Sequence, residues 1–177
     1  MKKIRYGVAM SLDGFIAGPN GEADWIVADP EVDFAEIWAR FDTGLMGRRT
    51  YERAVARLGE KSMQGMKIVV VSRTLQAVDY PNVTIFRDVN PEQIQALRAD
   101  TGEQKSGKDI WLFGGGQLFR SMLDLHLVDM VEVSIMPVVL GAGIPMLPSP
   151  AQHARLKLVR HKIYRSGIVS LAYDVQN

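Results

Sequence analysis

The chain has 177 residues, of which 47% are hydrophobic and 23% charged, and its formal net charge is +1. This length fits one domain with a substantial core, and we predict a single domain over residues 1–177. The near-neutral charge argues against a nucleic-acid-binding surface and against a polybasic membrane anchor. Because the sequence has no cysteine, disulfides, thiolate metal sites and cysteine nucleophiles are excluded.

Targeting and metal-binding signals are also missing from the sequence. The N-terminal segment meets Ser11 and Asp13 too early to form the apolar core of a signal peptide. No apolar run reaches the length needed to span a bilayer, so we expect a cytoplasmic protein that does not bind membranes. His126, His153 and His161 lie in unrelated segments without ligand spacing, and we expect no metal site.

The first third of the chain predicts a strand, a loop and a helix. Residues 4–10 are apolar and β-rich and predict a buried strand, and the turn-forming residues 11–21 predict a long loop after it. Asp29 as N-cap and Pro30 at the first helical position predict a helix. Its apolar stripe is formed at i, i+3, i+4 and i+7 by Phe34, Ile37, Trp38 and Phe41.

Strands and helices continue to alternate along the rest of the chain. The remaining predicted strands are residues 45–46, 67–71, 83–86, 110–113 and 128–136. A helix is predicted at 49–58, and a second begins at Asn90 and Pro91, with Ile94 and Leu97 facing inward. A third helix follows Gly116 and carries the apolar residues Leu118, Phe119, Met122 and Leu123. Residues 157–164 and 168–175 predict a terminal hairpin. This order predicts an α/β fold with a mostly parallel mixed sheet, helices on both faces and a C-terminal antiparallel hairpin.

Ligands of such sheets bind outside the carboxyl ends of the strands, and three turns there suit phosphate. The first turn combines free N–H groups at a helix start with Arg48, Arg49 and the Thr50 hydroxyl. The second places Ser72 and Arg73 after a buried strand, where an arginine can hold the 2′-phosphate that marks NADP. The alternative for these arginines is a solvated surface position.

The third turn is Gly-Gly-Gly-Gln at 114–117, between an apolar strand and an amphipathic helix. Glycines allow the backbone to approach a bulky ligand, and the following helix start favours a pyrophosphate; the alternative is a plain tight turn. The first strand leads into Ser-Leu-Asp-Gly rather than G-x-G-x-x-G, which argues against a Rossmann fold. No glycine turn carries a Walker-A lysine.

Five segments, in this order, resemble the dihydrofolate reductase superfamily, in particular the branch of the reductase domain of the bifunctional riboflavin-biosynthesis deaminase–reductase. They are Ser-Leu-Asp-Gly-Phe-Ile-Ala (11–17), Leu-Met-Gly-Arg-Arg-Thr-Tyr-Glu (45–52), Val-Val-Val-Ser-Arg-Thr (69–74), Phe-Gly-Gly-Gly-Gln-Leu-Phe (113–119) and Pro-Val-Val-Leu-Gly-Ala-Gly-Ile-Pro-Met-Leu (137–147). The resemblance implies a dihydrofolate-reductase-like fold and an NADPH-dependent oxidoreductase.

The resemblance also implies a set of NADPH-binding residues: Ala9, Ile16, Gly47, Arg48, Arg49, Thr50, Ser72, Arg73, Gly114, Gly115, Gly116, Gln117 and Leu118. Ala9 and Ile16 would bracket the nicotinamide carboxamide through their backbones. Residues 48–50 would face the phosphates, 72–73 the adenosine end, and 114–118 the pyrophosphate. The first two glycines of the third turn would be joined by a cis peptide.

The substrate side departs from the resemblance. Folate-reducing members of the superfamily carry a carboxylate in the first turn of the first helix. In this sequence that position falls near Val32, between Glu31 and Asp33. Asp33 is the candidate catalytic residue. The Asp-Asp-Pro motif of the riboflavin-pathway reductases is replaced by Tyr-Glu-Arg-Ala at 51–54. Trp25, in the loop beside the expected cleft, is the candidate substrate contact.

Three functions are therefore considered. The first is an NADPH-dependent reductase of a small heterocyclic or imine substrate, with 5-amino-6-(5-phosphoribosylamino)uracil reduction in riboflavin biosynthesis as the leading reaction. The others are dihydrofolate reductase and a non-catalytic nucleotide-binding protein of the same fold. The resemblance also implies association, because related reductases of this branch tend to be homodimers, and we expect a homodimer here. The apolar residues of 137–150 either close the core or form part of a subunit contact.

Overall fold

The structure is a computed structural model that describes residues 1–59, 63, 65–100 and 107–176. The strands are β1 (Ile4–Ser11), β2 (Phe15–Ala17), β3 (Phe41–Gly47), β4 (Lys67–Val71), β5 (Val83–Phe86), β6 (Asp109–Gly114), β7 (Met130–Met136), β8 (Ile144–Pro145), β9 (Arg155–Ile163) and β10 (Val169–Gln176). The helices are α1 (Phe34–Ala39), α2 (Arg48–Leu58), α3 (Pro91–Ala99) and α4 (Gly116–Asp124), with a 3-10 turn at Ala77–Asp79.

Eight strands form one mixed sheet in the order β5-β4-β3-β6-β1-β7-β10-β9, and β2 pairs with β8 in a small second sheet. The strands from β5 to β7 run parallel to their neighbours, whereas β10 is antiparallel to both β7 and β9. The predicted α/β architecture with its terminal antiparallel hairpin is therefore confirmed. None of the helices in the described ranges is long and apolar enough to cross a membrane.

Helices cover both faces of the sheet, as the alternating pattern predicts. On one face α3 and α4 pack on the sheet, and the predicted inward residues Ile94, Leu97, Leu118, Phe119, Met122 and Leu123 are all buried. On the other face α1 and α2 pack over a smaller cluster that includes Met46, Ile68 and Val70. Each fully buried aliphatic side chain contributes roughly 1.5–3 kcal/mol to the stability of the fold. The two clusters therefore hold the strand ends in place.

Tyr6 connects the core to the third turn. Its ring stacks on Phe119 at a centroid distance of 3.8 Å, and its buried hydroxyl has no hydrogen-bond partner among the described residues. Burial raises the pKa of Tyr6, so the phenol stays protonated. A Cβ at position 114 would lie 3.2 Å from the Tyr6 ring, and Gly114 has φ +94°; both facts require glycine there.

The first helix differs from the prediction. It begins at Phe34 with Asp33 as its N-cap, not at Pro30 with Asp29 as the cap. The Asp29 carboxylate instead accepts hydrogen bonds from the backbone N–H groups of Glu31 at 2.7 Å and of Ser166 at 3.2 Å. The residues after Asp29 therefore form a turn tied to the terminal hairpin, which delays the helix.

The predicted apolar stripe of that helix is wrong for the same reason. Phe34 is 61% exposed, and Phe41 belongs to β3 because the chain leaves the helix after Ala39. Trp38 does pack inward, edge-on against Trp111 with ring centroids 5.2 Å apart. A six-residue helix is too short to present the stripe that the spacing predicts.

The remaining differences are small and lie mainly in the loops. The strand predicted at 45–46 extends over Phe41–Gly47, and the loops predicted at 11–21 and 137–150 contain β2 and β8. Within the second loop, Met146 and Leu147 pack against the main core while Val139 is exposed. Part of this apolar loop therefore closes the core.

Candidate cofactor site

A crevice opens in the middle of the sheet where β1 and β6 separate. Their pairing runs from Ile4 to Tyr6 on β1, whereas β1 remains paired with β7 as far as Ser11. The end of β6 pairs instead with β3, where Met46 lies opposite Gly114. The carboxyl ends of two parallel strands thus diverge, which is where ligands of open α/β sheets bind.

Two helices begin beside this crevice without a side-chain cap. The N-cap residues of α2 and α4 are Gly47 and Gly115, and neither helix has an acidic residue in its first turn. By contrast α1 and α3 are capped by the side chains of Asp33 and Asn90. The first N–H groups of α2 and α4 lack intrahelical partners, so these two helix starts can bind an anion.

The two uncapped helix starts lie against each other. A Cβ placed at Gly47 would lie 3.9 Å from the Gly114 carbonyl oxygen, and one placed at Gly115 would lie 3.6 Å from Thr50 Oγ1 and 4.0 Å from Ile16 Cδ1. The positive ends of two helix dipoles therefore converge on one region, together with a hydroxyl. The predicted residues from three separate segments meet here, and the Gly114–Gly115 peptide is cis, as expected.

The two arginines of the first turn differ in their partners. Arg48 donates to Glu52 at 2.6 Å and to Thr74 at 2.8 Å, and the hydrogen bond to Glu52 raises the pKa of Arg48. Arg49 is exposed and makes no side-chain hydrogen bond or ion pair with any described residue. The Arg49 guanidinium is therefore available to an anion at the start of α2.

A cleft of about 450 Å³ continues from the helix starts along the ends of β4 and β5. Three of the predicted cofactor residues, Gly47, Gln117 and Leu118, line this cleft together with Val71, Asp88, Val89, Ser121 and Leu125. Sequence reasoning missed Asp88 and Val89, which follow β5 and Arg87 without a glycine turn. The rule that ligands bind at strand ends could have found them, because β5 is a strand of the same parallel sheet.

The turn after β4 has its own internal hydrogen bonds. Ser72 is buried, and its hydroxyl oxygen accepts from the backbone N–H groups of Thr74 at 3.2 Å and Leu75 at 3.1 Å. Arg73 points outward and pairs with Asp88 at 2.6 Å. Ser72 thus stabilises the turn, while Arg73 lies at the rim of the cleft.

Asp13 links two loops beside the crevice. Its carboxylate accepts from the Ser11 hydroxyl at 2.6 Å and from the backbone N–H groups of Leu140 at 3.1 Å and Gly141 at 2.7 Å. The Ser11 hydrogen bond, followed by the two backbone bonds, lowers the pKa of Asp13. The carboxylate is therefore ionised at neutral pH and joins the loop after β1 to the loop after β7.

The second loop also packs directly on α4. Met146 donates its backbone N–H to the Gly14 carbonyl at 2.9 Å, and β2 pairs with β8. A Cβ placed at Gly116 would lie 2.5 Å from the Pro145 carbonyl oxygen and 2.9 Å from that of Met146. Gly116 is therefore required by this close approach of backbone to backbone.

The other predicted site residues have separate surroundings. Ala9 lies opposite Ser134 on β7, beyond the point where β1 leaves β6. Asp33 is exposed and accepts from the backbone N–H of Glu36 as the cap of α1. Trp25 donates its indole N–H to the carbonyl of Glu22 within its own loop. Ala9 is thus at the crevice, whereas Asp33 and Trp25 bond within their own segments.

This sheet order, with the crevice beside the central strand, defines a dihydrofolate-reductase-like fold. The chain matches the RibD C-terminal domain family over residues 2–170 and belongs to that family. It is 35% identical over 184 residues to the uncharacterized protein YyaP of Bacillus subtilis (strain 168), with 97% of this chain and 94% of that protein covered.

Two solved structures have the same fold. A putative riboflavin biosynthesis protein from Shewanella sp. PV-4 superposes with a TM-score of 0.82 at 22% identity, covering both chains completely. A diaminohydroxyphosphoribosylaminopyrimidine deaminase/5-amino-6-(5-phosphoribosylamino)uracil reductase from Thermotoga maritima has a TM-score of 0.70 at 16% identity. That match covers 99% of this chain and 57% of the Thermotoga chain.

Replacing Asp13 with Asn should loosen the second loop. Leu140 and Gly141 donate to different oxygens of the carboxylate, and in Asn one of those oxygens becomes an NH2 group that cannot accept. The remaining amide oxygen carries no charge to strengthen its bonds. We expect the amides of Leu140 and Gly141 to exchange with deuterium about tenfold faster, a change typical of losing a charge-assisted bond. The exposed Asp24→Asn variant is the matched control and should exchange like wild type. Equal protection in Asp13→Asn would contradict the assigned role.

Proposed function

We propose that this protein is an NADPH-dependent reductase that transfers a hydride to a small heterocyclic or imine substrate. The observation that carries the proposal is the convergence of two uncapped helix starts on Gly115, beside Arg49, which has no ion-pair partner among the described residues. Membership of a family that includes a reductase domain supports the same reading. When bound, NADPH supplies the hydride, and the protein supplies binding, orientation and exclusion of water.

The residues present fit a dinucleotide. The N–H groups that begin α2 and α4, with Thr50 and Arg49, would hold the pyrophosphate, and Gly115 leaves room for it. The cleft lined by Gln117 and Leu118 would take the adenosine end. Arg48, Arg49 and Arg73, which lie at the start of α2 and at the cleft rim, offer charge to a 2′-phosphate.

The nicotinamide end would lie in the crevice between β1 and β6. There Ala9 and Ile16 would offer backbone groups to the carboxamide, and the joined loops after β1 and β7 would exclude water. Asp33 stays the candidate for proton transfer, since its Oδ1 accepts from Glu36 while its other oxygen has no hydrogen bond to a described residue. Trp25 stays the candidate substrate contact.

We propose 5-amino-6-(5-phosphoribosylamino)uracil as the leading substrate. The two carboxylates at the start of α1 are both exposed, Asp33 as the cap that precedes the helix and Glu36 in its first turn, and this exposure argues against folate reduction. Loss of NADPH absorbance on addition of the aminouracil tests this, with dihydrofolate as the competing substrate. We expect turnover with the aminouracil alone. Binding of NADPH without turnover on either substrate would favour a non-catalytic nucleotide-binding protein, and no binding would overturn the proposal.

The Gly115→Ala variant should fold but bind NADPH at least tenfold more weakly. Gly115 has φ −76°, and its added Cβ meets Thr50 and Ile16 at ordinary contact distances, so stability should change little. The same methyl group would fill the space between the two helix starts. Isothermal titration calorimetry and thermal unfolding measure both effects. Gly116→Ala is the contrasting variant and should lower the melting temperature, because its Cβ clashes with backbone. An unchanged dissociation constant for Gly115→Ala would contradict the pyrophosphate site.

We further propose that the protein is a two-fold symmetric homodimer. Strand β9 forms an edge of the main sheet, and all nine of its residues are exposed. Leu156, Leu158, Val159 and Ile163 add apolar side chains to that edge, at exposures from 45% to 71%. An open sheet edge that carries exposed apolar side chains favours association, so we propose that a second copy covers it.

Light scattering should give about twice the monomer mass of 19.7 kDa for the wild-type protein. Leu158→Lys should give a monomer, because a lysine in the contact would be buried without a partner. Val78→Lys, at an 86% exposed site away from β9, is the matched control and should stay dimeric. A monomeric wild type would overturn the dimer, and a dimeric Leu158→Lys would move the contact away from β9.

A further inference from the structure

An acidic residue lies in the part of the cleft that would receive the adenosine end of the cofactor. Val71 of β4 and Phe86 of β5 are paired, and Ser72 donates its backbone N–H to the Phe86 carbonyl at 2.8 Å. Arg73 and Asp88 each follow two residues later, so the register of the two strands brings their side chains together. Asp88 is the only charged residue among the described residues that line the cleft.

The contact between Arg73 and Asp88 uses one edge of the guanidinium. Arg73 Nε donates to Oδ1 of Asp88 at 2.8 Å, and a terminal nitrogen of the guanidinium lies 2.6 Å from the same oxygen. The side chains are 79% and 61% exposed, and a pair this exposed adds little to stability. The pair can therefore be altered without unfolding the protein.

The pairing also changes the charge that the cleft offers to a ligand. Glu52 pairs with Arg48 and Asp88 pairs with Arg73, which leaves Arg49 without a carboxylate partner among the described residues. A 2′-phosphate carries close to two negative charges. It would compete with Asp88 for Arg73, and the Asp88 carboxylate would repel it. A ribose 2′-hydroxyl can instead donate a hydrogen bond to a carboxylate, as it does to the acidic residue of NAD-binding folds.

We propose that Asp88 is a specificity-determining residue that limits the preference for NADPH over NADH, an inference that rests on the proposed function. Its carboxylate lies on the cleft side of the pair, neutralises Arg73 and favours a free 2′-hydroxyl. Removing its charge frees Arg73 for a 2′-phosphate and removes a repulsion from it. At solvent-exposed separations of several ångströms this difference corresponds to roughly tenfold in affinity.

The Asp88→Asn variant of the full chain tests this by isothermal titration calorimetry with NADPH and NADH. The ratio of the NADH to the NADPH dissociation constant should rise about tenfold, chiefly through tighter NADPH binding. Asp79→Asn, which removes an exposed carboxylate outside the cleft, is the matched control and should leave the ratio unchanged. Adding Arg73→Gln to Asp88→Asn should reverse much of the gain, because the freed guanidinium is then absent.

Two results would overturn the inference. Weaker NADPH binding by Asp88→Asn would mean that Asp88 holds Arg73 in position for the 2′-phosphate rather than competing with it. An unchanged ratio, with both cofactors still bound by wild type and variant, would mean that Asp88 does not discriminate, and the proposed function would stand. If the wild-type protein binds neither dinucleotide, the proposed function fails, and the inference fails with it.

Discussion

The pairing of β3 with β6 places two strand–helix junctions side by side. Parallel neighbours end at the same edge of a sheet, so the helices that follow β3 and β6 begin next to each other. Gly47 and Gly115 leave the space between the two helix starts open, because neither places a side chain there. The anion-binding character of the site, the position of Arg49 and the adjoining cleft all depend on this one arrangement of strands.

Other contacts hold the loops around that arrangement. Asp13 joins the loop after β1 to the loop after β7, and Gly116 lets the second loop press against the start of α4. Asp29 likewise ties the long loop before α1 to the turn of the terminal hairpin. The carboxylates of Asp13 and Asp29 thus anchor these loops by accepting hydrogen bonds from backbone N–H groups.

The charge of the site is more balanced than its arginines alone indicate. Arg48 and Arg73 each have a carboxylate partner, and Arg49 carries the charge that no described side chain neutralises. Helix starts therefore provide much of the positive potential through oriented N–H groups. Under the proposed function, such a site would bind phosphate through the backbone and leave selectivity between related dinucleotides to a few exposed side chains at its rim.

The sequence by itself determined the elements whose signals are local. The strands at Lys67–Val71 and Val83–Phe86 match the prediction residue for residue, and so does the start of α3, where Asn90 caps the helix and Pro91 opens it. The reason is that β-branched runs, caps and prolines act on their chain neighbours. The same local signals, with the rule for strand ends, identified the turns that meet at Gly115.

Only the tertiary structure decided the features that depend on distant partners. Helix α1 begins later than predicted because the Asp29 carboxylate accepts a hydrogen bond from the backbone N–H of Ser166, 137 residues away in the chain. The side chains of Arg48 and Arg73 donate hydrogen bonds to Thr74 and Asp88, which lie 26 and 15 residues away in the chain. Asp88 itself became part of the cleft through the register of β4 and β5. Sequence periodicity records which face a residue occupies, whereas long-range hydrogen bonds and strand order are set only when the sheet assembles.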